Sequence, residues 1–97
     1  MLDLRRLRYF LIVSDELHFG RAAARLHIAQ PPLTRQISAL EKELGFQLFD
    51  RSSRNVTLTA EGRHFLPHAR ALLEQVELTE GITRKLAKGS AGHLAVG

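Results

Sequence analysis

Apolar side chains recur at helical spacing in the first half of the chain. The first such stripe consists of Leu4, Leu7, Phe10 and Leu11. Asp3 stands immediately before the stripe, in the position of a helix N-cap, where a carboxylate accepts hydrogen bonds from free N–H groups. The pattern therefore predicts a first amphipathic helix from residue 3 to about residue 15, which we expect to serve mainly as scaffold.

Two further helices and a tight turn follow. Small residues between Arg21 and Leu26 allow another helix to approach closely, and Arg21 and Arg25 share an outward face at i, i+4. Residues 27–30 are too few and too mixed for an element, so we predict a turn there. The next apolar stripe comprises Leu33, Ile37, Leu40 and Leu44, in the third helix. Gly45 follows it and is typical of the residue after a helix. Two helices joined in this way predict a helix-turn-helix motif.

The next segment has strand character on both sides of a polar turn. Residues 46–50 and 55–59 read as strands, and residues 51–54 separate them. This arrangement predicts a small β-hairpin. Beside a helix-turn-helix motif, such a hairpin is a wing.

A heptad pattern runs through the last third of the chain. Thr59 can cap a last helix, and Glu61 suits its first turn. Beyond them an apolar seam repeats at spacings of four and three residues: Phe65, Ala69, Leu72, Val76, Thr79, Thr83 and Leu86. Since a helix over residues 60–88 is too long to bury this seam on the preceding core, we predict that a second copy of the chain covers it. Pro67 removes a helical hydrogen bond, so we expect a kink or a restart there.

The composition changes again at the end of the chain. Residues 88–92 are rich in small residues and glycine, which predicts a linker, and residues 93–97 look like the first strand of a further, absent domain. We therefore divide the chain into a winged helix-turn-helix at 1–58, a linker and dimerisation helix at 59–88, and a second linker leading out at 89–97.

Two adjacent prolines mark the start of the third helix. Because the first four N–H groups of a helix have no internal acceptor, Pro32 fits as its first residue. A residue before proline is driven out of the α region, so we expect Gln30 to be extended and Pro31 to be extended or at the helix cap. In isolation the two rings could simply end the preceding turn. In a helix-turn-helix they form a stiff apolar tip, with Thr34 and Arg35 on the outward face, which suits the DNA major groove.

Composition narrows the class of protein. Lys and Arg number 14 against 10 Asp and Glu, with 11 Arg to 3 Lys, and Arg suits bidentate contacts with phosphates and guanine. The surplus of +4 is modest, so charge alone leaves nucleic-acid binding open. The absence of cysteine excludes disulfides and thiolate metal sites. No apolar run approaches the ~18 residues that a membrane span needs, so we expect a cytoplasmic protein without a membrane partner.

We find no motif that predicts catalysis. The sequence contains no phosphate-binding loop, paired catalytic carboxylates or cofactor fingerprint. His64 and His68 stand four residues apart, a spacing that can bind a metal, and Glu61 lies a turn earlier, but no fourth ligand is near. We therefore predict no enzyme activity, no metal and no cofactor.

Two long segments carry a family resemblance. They are LRYFLIVSDELHFGRAAARLHIAQPPLTRQISALEKELGFQLFDR and LTAEGRHFLPHARALL, within about residues 4–73. In both, the chain resembles the N-terminal DNA-binding region of LysR-type transcriptional regulators. The resemblance implies a mainly α fold, a winged helix-turn-helix with a small β-hairpin wing followed by a long C-terminal dimerisation helix. It places the recognition helix, about 32–44, in the major groove and the wing, about 46–59, at the minor groove and backbone.

The resemblance also implies partners. The chain is expected to form a homodimer on an interrupted palindrome in double-stranded DNA, and the full-length protein is expected to form a tetramer. A small-molecule inducer would bind only through the missing C-terminal domain, for which GHLAVG would be the opening strand.

Carried over residue by residue, the resemblance assigns DNA contacts to the helix tip and the wing. The tip residues are Gln30, Pro31, Pro32, Thr34, Arg35 and Ser38. The wing arginine is Arg54. Arg51 could contact a phosphate or pair with a local carboxylate such as Asp50, and the sequence leaves both open. One departure is Gly20, where many relatives have Ser or Thr, because a glycine cap lacks the hydroxyl that could reach a phosphate.

A protein–protein module is the rival interpretation. In it, residues 59–88 form a coiled-coil adaptor and the basic residues are solvated surface. That interpretation accounts for the seam but gives no role to the tip at residues 30–35 or to the Arg-rich hairpin. We therefore predict sequence-specific DNA binding by a homodimer.

Overall fold

A computed structural model describes residues 2–52 and 55–96, with side chains as far as Gly89. In chain order it contains three helices, a two-stranded antiparallel hairpin and a long fourth helix. These elements are α1 (Leu4–Glu16), α2 (Phe19–Leu26), α3 (Gln30–Leu44), β1 (Phe49–Asp50), β2 (Thr57–Leu58) and α4 (Ala60–Val96). The order confirms the predicted mainly α architecture of a winged helix-turn-helix followed by a long helix.

Side chains cap the first two helices. Asp3 accepts hydrogen bonds from two backbone N–H groups in the first turn of α1, as predicted. The cap of α2 is His18, whose Nδ1 accepts from the N–H of Arg21 at 3.0 Å. The expectation of a glycine cap at Gly20 is wrong, because α2 begins at Phe19 and the imidazole already takes the capping position.

The third helix begins earlier than predicted. Ala29 is its extended N-cap, with φ −74° and ψ 155°, and Gln30, Pro31 and Pro32 already lie in the first turn. The prediction of an extended Gln30 and Pro31 is wrong, since the first turn needs no donor from either ring and this freedom outweighs the bias against a helical residue before proline. Gly45 ends α3 with φ 86°, as predicted.

One hydrophobic core joins the helices and the wing. Its buried residues are Leu7, Phe10 and Val13 of α1, Phe19, Ala22 and Ala23 of α2, Leu33, Ile37 and Leu40 of α3, Leu48 and Phe49 of the hairpin, and Ala69 and Leu73 of α4. The Phe10 ring lies 5.6 Å from that of Phe49 and 5.7 Å from that of Phe65, centroid to centroid. Aromatic contacts therefore tie α1 to both the wing and the start of α4.

The wing strands are shorter than predicted. Phe49 pairs with Leu58 and Asp50 with Thr57, so each strand has two residues. The longer strands predicted over 46–50 and 55–59 do not form. At the start of β1 the N–H of Leu48 donates to Glu41 of α3 and not to the opposite strand. The hairpin itself is confirmed.

Thr59 joins the wing to α4. Its hydroxyl accepts from the N–H of Gly62 at 2.9 Å, which makes it the predicted N-cap. The same hydroxyl donates to the carbonyl of Gln47 at 2.6 Å, and the N–H of Thr59 donates to the carbonyl of Leu48 at 3.0 Å. The cap therefore also anchors the first turn of α4 to the hairpin.

The fourth helix is continuous and longer than predicted. It does not restart at Pro67, and the predicted linker and strand over residues 89–97 are helical as far as Val96. Glycine lowers helix propensity by about 1 kcal/mol but keeps its backbone donor and acceptor, so the helix can continue past residue 88. This helix gives the molecule its longest dimension, 61 Å against 26 and 20 Å. Within the described parts of the chain, no helix is long and apolar enough to cross a membrane.

Candidate nucleic-acid interface

The exposed end of α3 brings most of the predicted groove residues together. Gln30, Pro31, Thr34 and Arg35 line one open depression of about 410 Å³. Thr34 and the neighbouring Pro32 are half-buried, and the other three are exposed. The tip therefore presents a rigid ring, an amide, a hydroxyl and a guanidinium on one small surface.

Arg35 carries a guanidinium that is free to bind outside the chain. None of the ion pairs among residues 2–52 and 55–89 includes it. Arg25, by contrast, pairs with Asp15 at 3.4 Å and Glu16 at 3.2 Å. An exposed arginine without an ion pair keeps its fork of N–H donors available for two acceptors at once.

Ser38 lies one helical turn beyond Thr34. It lines a second cleft, of about 400 Å³, between α3 and the wing, with Lys42 and Arg51 also on its wall. Because Thr34 and Ser38 are four residues apart, the two depressions open on the same side of α3. Arg54, the predicted wing contact, lies outside the described residues.

Packing on the opposite face holds α3 in place. Leu33, Ile37 and Leu40 are completely buried. In addition, Nε of Arg6 in α1 donates to Oε1 of Gln36 at 2.8 Å. The exposed tip of α3 therefore belongs to a helix that is fixed by apolar contacts and by the hydrogen bond between Arg6 and Gln36.

The start of α2 approaches the tip of α3 at Gly20. A Cβ on Gly20 would lie 2.9 Å from Cε1 of His18 and 3.6 Å from Oε1 of Gln30. Gly20 therefore leaves room for the capping imidazole. His18, Gln30 and Asn55 share a cleft of about 350 Å³, which places the wing beside the tip. The sequence did not indicate the His18 cap, because histidine is not among the favoured N-cap residues.

Arg51 pairs with Glu41 and not with Asp50. Its Nη2 lies 3.1 Å from Oε1 of Glu41, and its guanidinium carbon lies 5.2 Å from the ring centroid of Phe19. The hydroxyl of Ser52 at 2.6 Å and its N–H at 2.9 Å donate to Asp50 and lower the pKa of that carboxyl below its ordinary 3.8. Of the two roles predicted for Arg51, the structure contains the carboxylate pair, with a different partner.

Glu41 is a charged residue of the core side of α3 and is only 8% exposed. Its Oε2 accepts from the backbone N–H groups of Leu48 at 2.7 Å and Phe49 at 3.3 Å. Sequence analysis missed this role. The sequence did contain an indication that Glu41 is buried. Glu41 follows Ile37 by four residues and so lies on the apolar stripe, where a carboxylate needs hydrogen-bond partners.

The predicted seam of α4 separates into two parts. Phe65 and Ala69 pack on the chain's own core, and Ala69 is only 1% exposed. We therefore remove Ala69 from the predicted dimer surface, whereas Phe65 is half-buried, with its ring 5.7 Å from that of Phe10 in α1. The other predicted residues are more open: Leu72, Thr79, Thr83 and Leu86 are exposed, and Val76 is half-buried.

Two large apolar residues of α4 were not in the predicted seam. Leu78 is 63% exposed and Ile82 is 57% exposed. With Leu86 they are spaced by four residues, so they form one stripe along the helix. We call Leu72, Val76, Leu78, Ile82 and Leu86 the α4 apolar face.

The two histidines of α4 lie side by side on its surface. The rings of His64 and His68 are 5.9 Å apart between centroids, and both residues are exposed. In the part of the chain that the structure describes, no group of three or more His, Cys, Asp or Glu residues could hold a metal ion. The pair therefore lacks the ligand set of a protein metal site.

Known sequences match this chain closely. The family model described as "Bacterial regulatory helix-turn-helix protein, lysR family" matches residues 4–63. The uncharacterised HTH-type transcriptional regulator YnfL of Escherichia coli (strain K12) is 50% identical over 96 residues, which are 99% of this chain and 32% of YnfL. The HTH-type transcriptional regulator ClcR of Pseudomonas putida is 50% identical over 95 residues, 98% of this chain and 32% of ClcR. The chain thus spans about a third of the length of these relatives.

Solved structures match over nearly the whole chain. The BenM_DBD/catB site 1 DNA complex has a TM-score of 0.86 and 48% sequence identity, covering 95% of this chain and 99% of that one. The CbnR_DBD–DNA complex has a TM-score of 0.82 and 43% identity, covering 89% of this chain and 99% of the other. Both were solved with DNA bound.

Proposed function

The chain belongs to the lysR family of bacterial regulatory helix-turn-helix proteins, and we propose that it is the part of a transcriptional regulator that binds double-stranded DNA at preferred sequences. The tip of α3 carries this proposal. There Arg35 is exposed and unpaired among the described residues, beside Gln30 and Thr34 on one open surface.

Each group at the tip matches a feature of the major groove. The guanidinium of Arg35 can fork onto O6 and N7 of guanine, and the amide of Gln30 can pair with adenine. The ring of Pro31 and the methyl of Thr34 can touch the methyl group of thymine. In this proposal Pro32 and Ser38 complete the contact surface along the first turns of α3.

The wing supplies contacts outside the major groove. We propose that Arg54 contacts the minor groove or the DNA backbone next to the part of the major groove that α3 would occupy. Such contacts position a protein on the duplex and add salt-dependent affinity, while base contacts supply the preference.

A homodimer formed through α4 would read two half-sites. The α4 apolar face is longer than the chain's own core can cover, and a two-fold interface makes the same face self-complementary. In this arrangement residues 1–58 bind DNA and residues 59–88 pair the two copies. The expected target is an interrupted palindrome.

The proposal includes two further partners for a full-length regulator. The relatives are about three times as long as this chain, so the tetramer and the small-molecule inducer belong to a region beyond it. A cytoplasmic location follows from the proposed contact with DNA. We assign the chain a binding role and no catalytic one, which agrees with the description of its relatives as transcriptional regulators.

Fluorescence anisotropy on two labelled duplexes tests the proposal. The chain is titrated against a selected palindrome and a scrambled duplex at several salt concentrations, alongside Arg35→Ala and the distant control Arg84→Ala. We expect wild type to prefer the palindrome and Arg35→Ala to lose about 1 to 3 kcal/mol on it, with most of the salt dependence retained. Arg84→Ala should bind like wild type.

Two outcomes would contradict the proposal. Binding that ignores sequence at every salt concentration would favour the coiled-coil adaptor. Equal weakening of Arg35→Ala on both duplexes would make Arg35 a phosphate contact.

A further inference from the structure

We propose that Glu41 is a positioning residue that fixes the wing to the recognition helix, and that Arg51 serves this brace instead of contacting DNA. The inference rests on the proposed function only for its effect on DNA binding. The brace itself can be observed in the free protein.

One carboxylate of α3 receives three donors from the wing segment. Oε2 of Glu41 accepts from the N–H groups of Leu48 and Phe49, and Oε1 accepts from Nη2 of Arg51 at 3.1 Å. Leu48 and Phe49 are themselves buried, at the point where the chain enters β1. The position of the first wing strand is therefore set by a side chain in the last turns of α3.

Because Glu41 is buried, its carboxylate needs these hydrogen-bond partners. An ionised carboxylate removed from water is stable only when its oxygens are hydrogen-bonded or paired, and both oxygens of Glu41 are. Hydrogen bonds to a charged acceptor are stronger than those between neutral groups. Removing the charge therefore releases the strand as well as the arginine.

Arg51 is held from two sides. Its guanidinium pairs with Glu41 and lies against the Phe19 ring of α2, at 5.2 Å from guanidinium carbon to ring centroid. Swinging toward a phosphate would break both contacts. Arg35, with no ion pair among the described residues, has no such restraint.

The wing of the free protein is the first readout. Amide hydrogen exchange is followed by NMR in wild type, Glu41→Gln and the control Glu43→Gln, which removes an exposed carboxylate two residues away. We expect the amides of Leu48 and Phe49 to exchange at least tenfold faster in Glu41→Gln, while the amide of Phe10 in α1 keeps its wild-type rate. Glu43→Gln should leave all three rates unchanged.

Equal acceleration of amide exchange throughout the protein would contradict the proposed role of Glu41. If the amides of Leu48 and Phe10 accelerate by the same factor in Glu41→Gln, the residue stabilises the fold as a whole and does not position the wing. Arg51→Gln guards against a poorly folded Glu41→Gln, because it removes one donor at a more exposed position. It should accelerate exchange at Phe49 by a smaller factor.

DNA binding is the second readout. Anisotropy is measured across salt for Arg51→Ala, Glu41→Gln and the double variant. If Arg51 acts through Glu41, each single variant lowers the affinity for DNA about five- to tenfold and leaves the salt slope unchanged. The double variant then loses no more affinity than the more affected of the two single variants. A slope reduced by about 0.9 per chain in Arg51→Ala, with additive losses, would make Arg51 a phosphate contact and overturn its assigned role.

The two readouts fail separately. If wild type binds no duplex while exchange at Leu48 responds to Glu41→Gln, the brace stands and the proposed function falls. If wild type binds DNA while exchange at Leu48 is unaffected, the proposed function stands and the brace falls.

Discussion

Two glycines of α4 show how differently the same residue type can be constrained. A Cβ on Gly62 would collide with the carbonyl oxygen of Leu48, where the first turn of the helix rests on the wing. A Cβ on Gly81 would meet nothing nearer than Nη2 of Arg84, at 3.9 Å. Gly62 is therefore required by a close backbone approach, whereas Gly81 only weakens its helix.

Alanine at these two positions should change stability in opposite directions. We expect Gly62→Ala to lower the free energy of unfolding by about 1 to 3 kcal/mol, because the junction between wing and helix must shift. Gly81→Ala should raise it by roughly 0.5 to 1 kcal/mol through helix propensity. Urea unfolding followed by circular dichroism, at one fixed protein concentration, measures both. Equal effects of the two substitutions would show that the wing carbonyl does not press on Gly62.

At this scale the sequence predicted the residues whose partners are local. Asp3, Gly45 and the cap that Thr59 forms on α4 act within one turn, so capping rules were enough to find them. The bond from the Thr59 hydroxyl to Gln47, twelve residues away, could not be found in this way. Glu41 bonds to residues seven to ten positions away, and its role depends on how the wing folds back on α3. Such a role could be suspected from its place on an apolar stripe, but its partners could not be named.

At the scale of elements, periodicity predicted the helices better than the strands. The helical stripes of α1 and α3 are mostly buried, since each repeats over several turns, but Leu4 at the start of α1 is 42% exposed. The wing strands were predicted too long, because a strand needs a partner at each position and the hairpin supplies only two. In α4 the heptad spacing could not show which turns the chain's own core would cover, and Ala69 lies in that core.

A charge on the α4 apolar face should separate the proposed dimer into monomers. We expect Leu72→Glu and Ile82→Glu each to shift the protein from dimer to monomer, since a buried glutamate would lack a partner across the interface. Arg84→Glu is the matched control, because residue 84 lies on the opposite side of the helix from residue 82. Sedimentation equilibrium gives the mass. An intact dimer in both apolar-face variants would place the interface elsewhere.

At the scale of the whole molecule, the proposed two-fold dimer would govern how DNA is read. Each copy has one α3 tip, and the paired α4 helices would fix the distance between the two tips. The two half-sites must then lie on the same face of the duplex, separated by a defined number of base pairs. Specificity would thus depend on spacing as well as on base sequence.

Half-site spacing is therefore expected to be critical. Inserting five base pairs at the centre of a preferred palindrome turns one half-site to the opposite face of the duplex, and we expect about tenfold weaker binding or more. Anisotropy with a duplex that carries a single half-site gives the reference affinity. A palindrome that binds no better than this reference, at any spacing, would show that the two tips act independently.

The length of α4 also determines how the protein moves through solution. The radius of gyration is 17.2 Å, whereas a compact chain of this size has about 12 to 13 Å. Even as a monomer, the protein therefore experiences more friction than a sphere of 10.9 kDa and will elute early from a size-exclusion column. Its diffusion is that of a rod with a head at one end, so its rotational correlation time will depend on the direction of the axis observed.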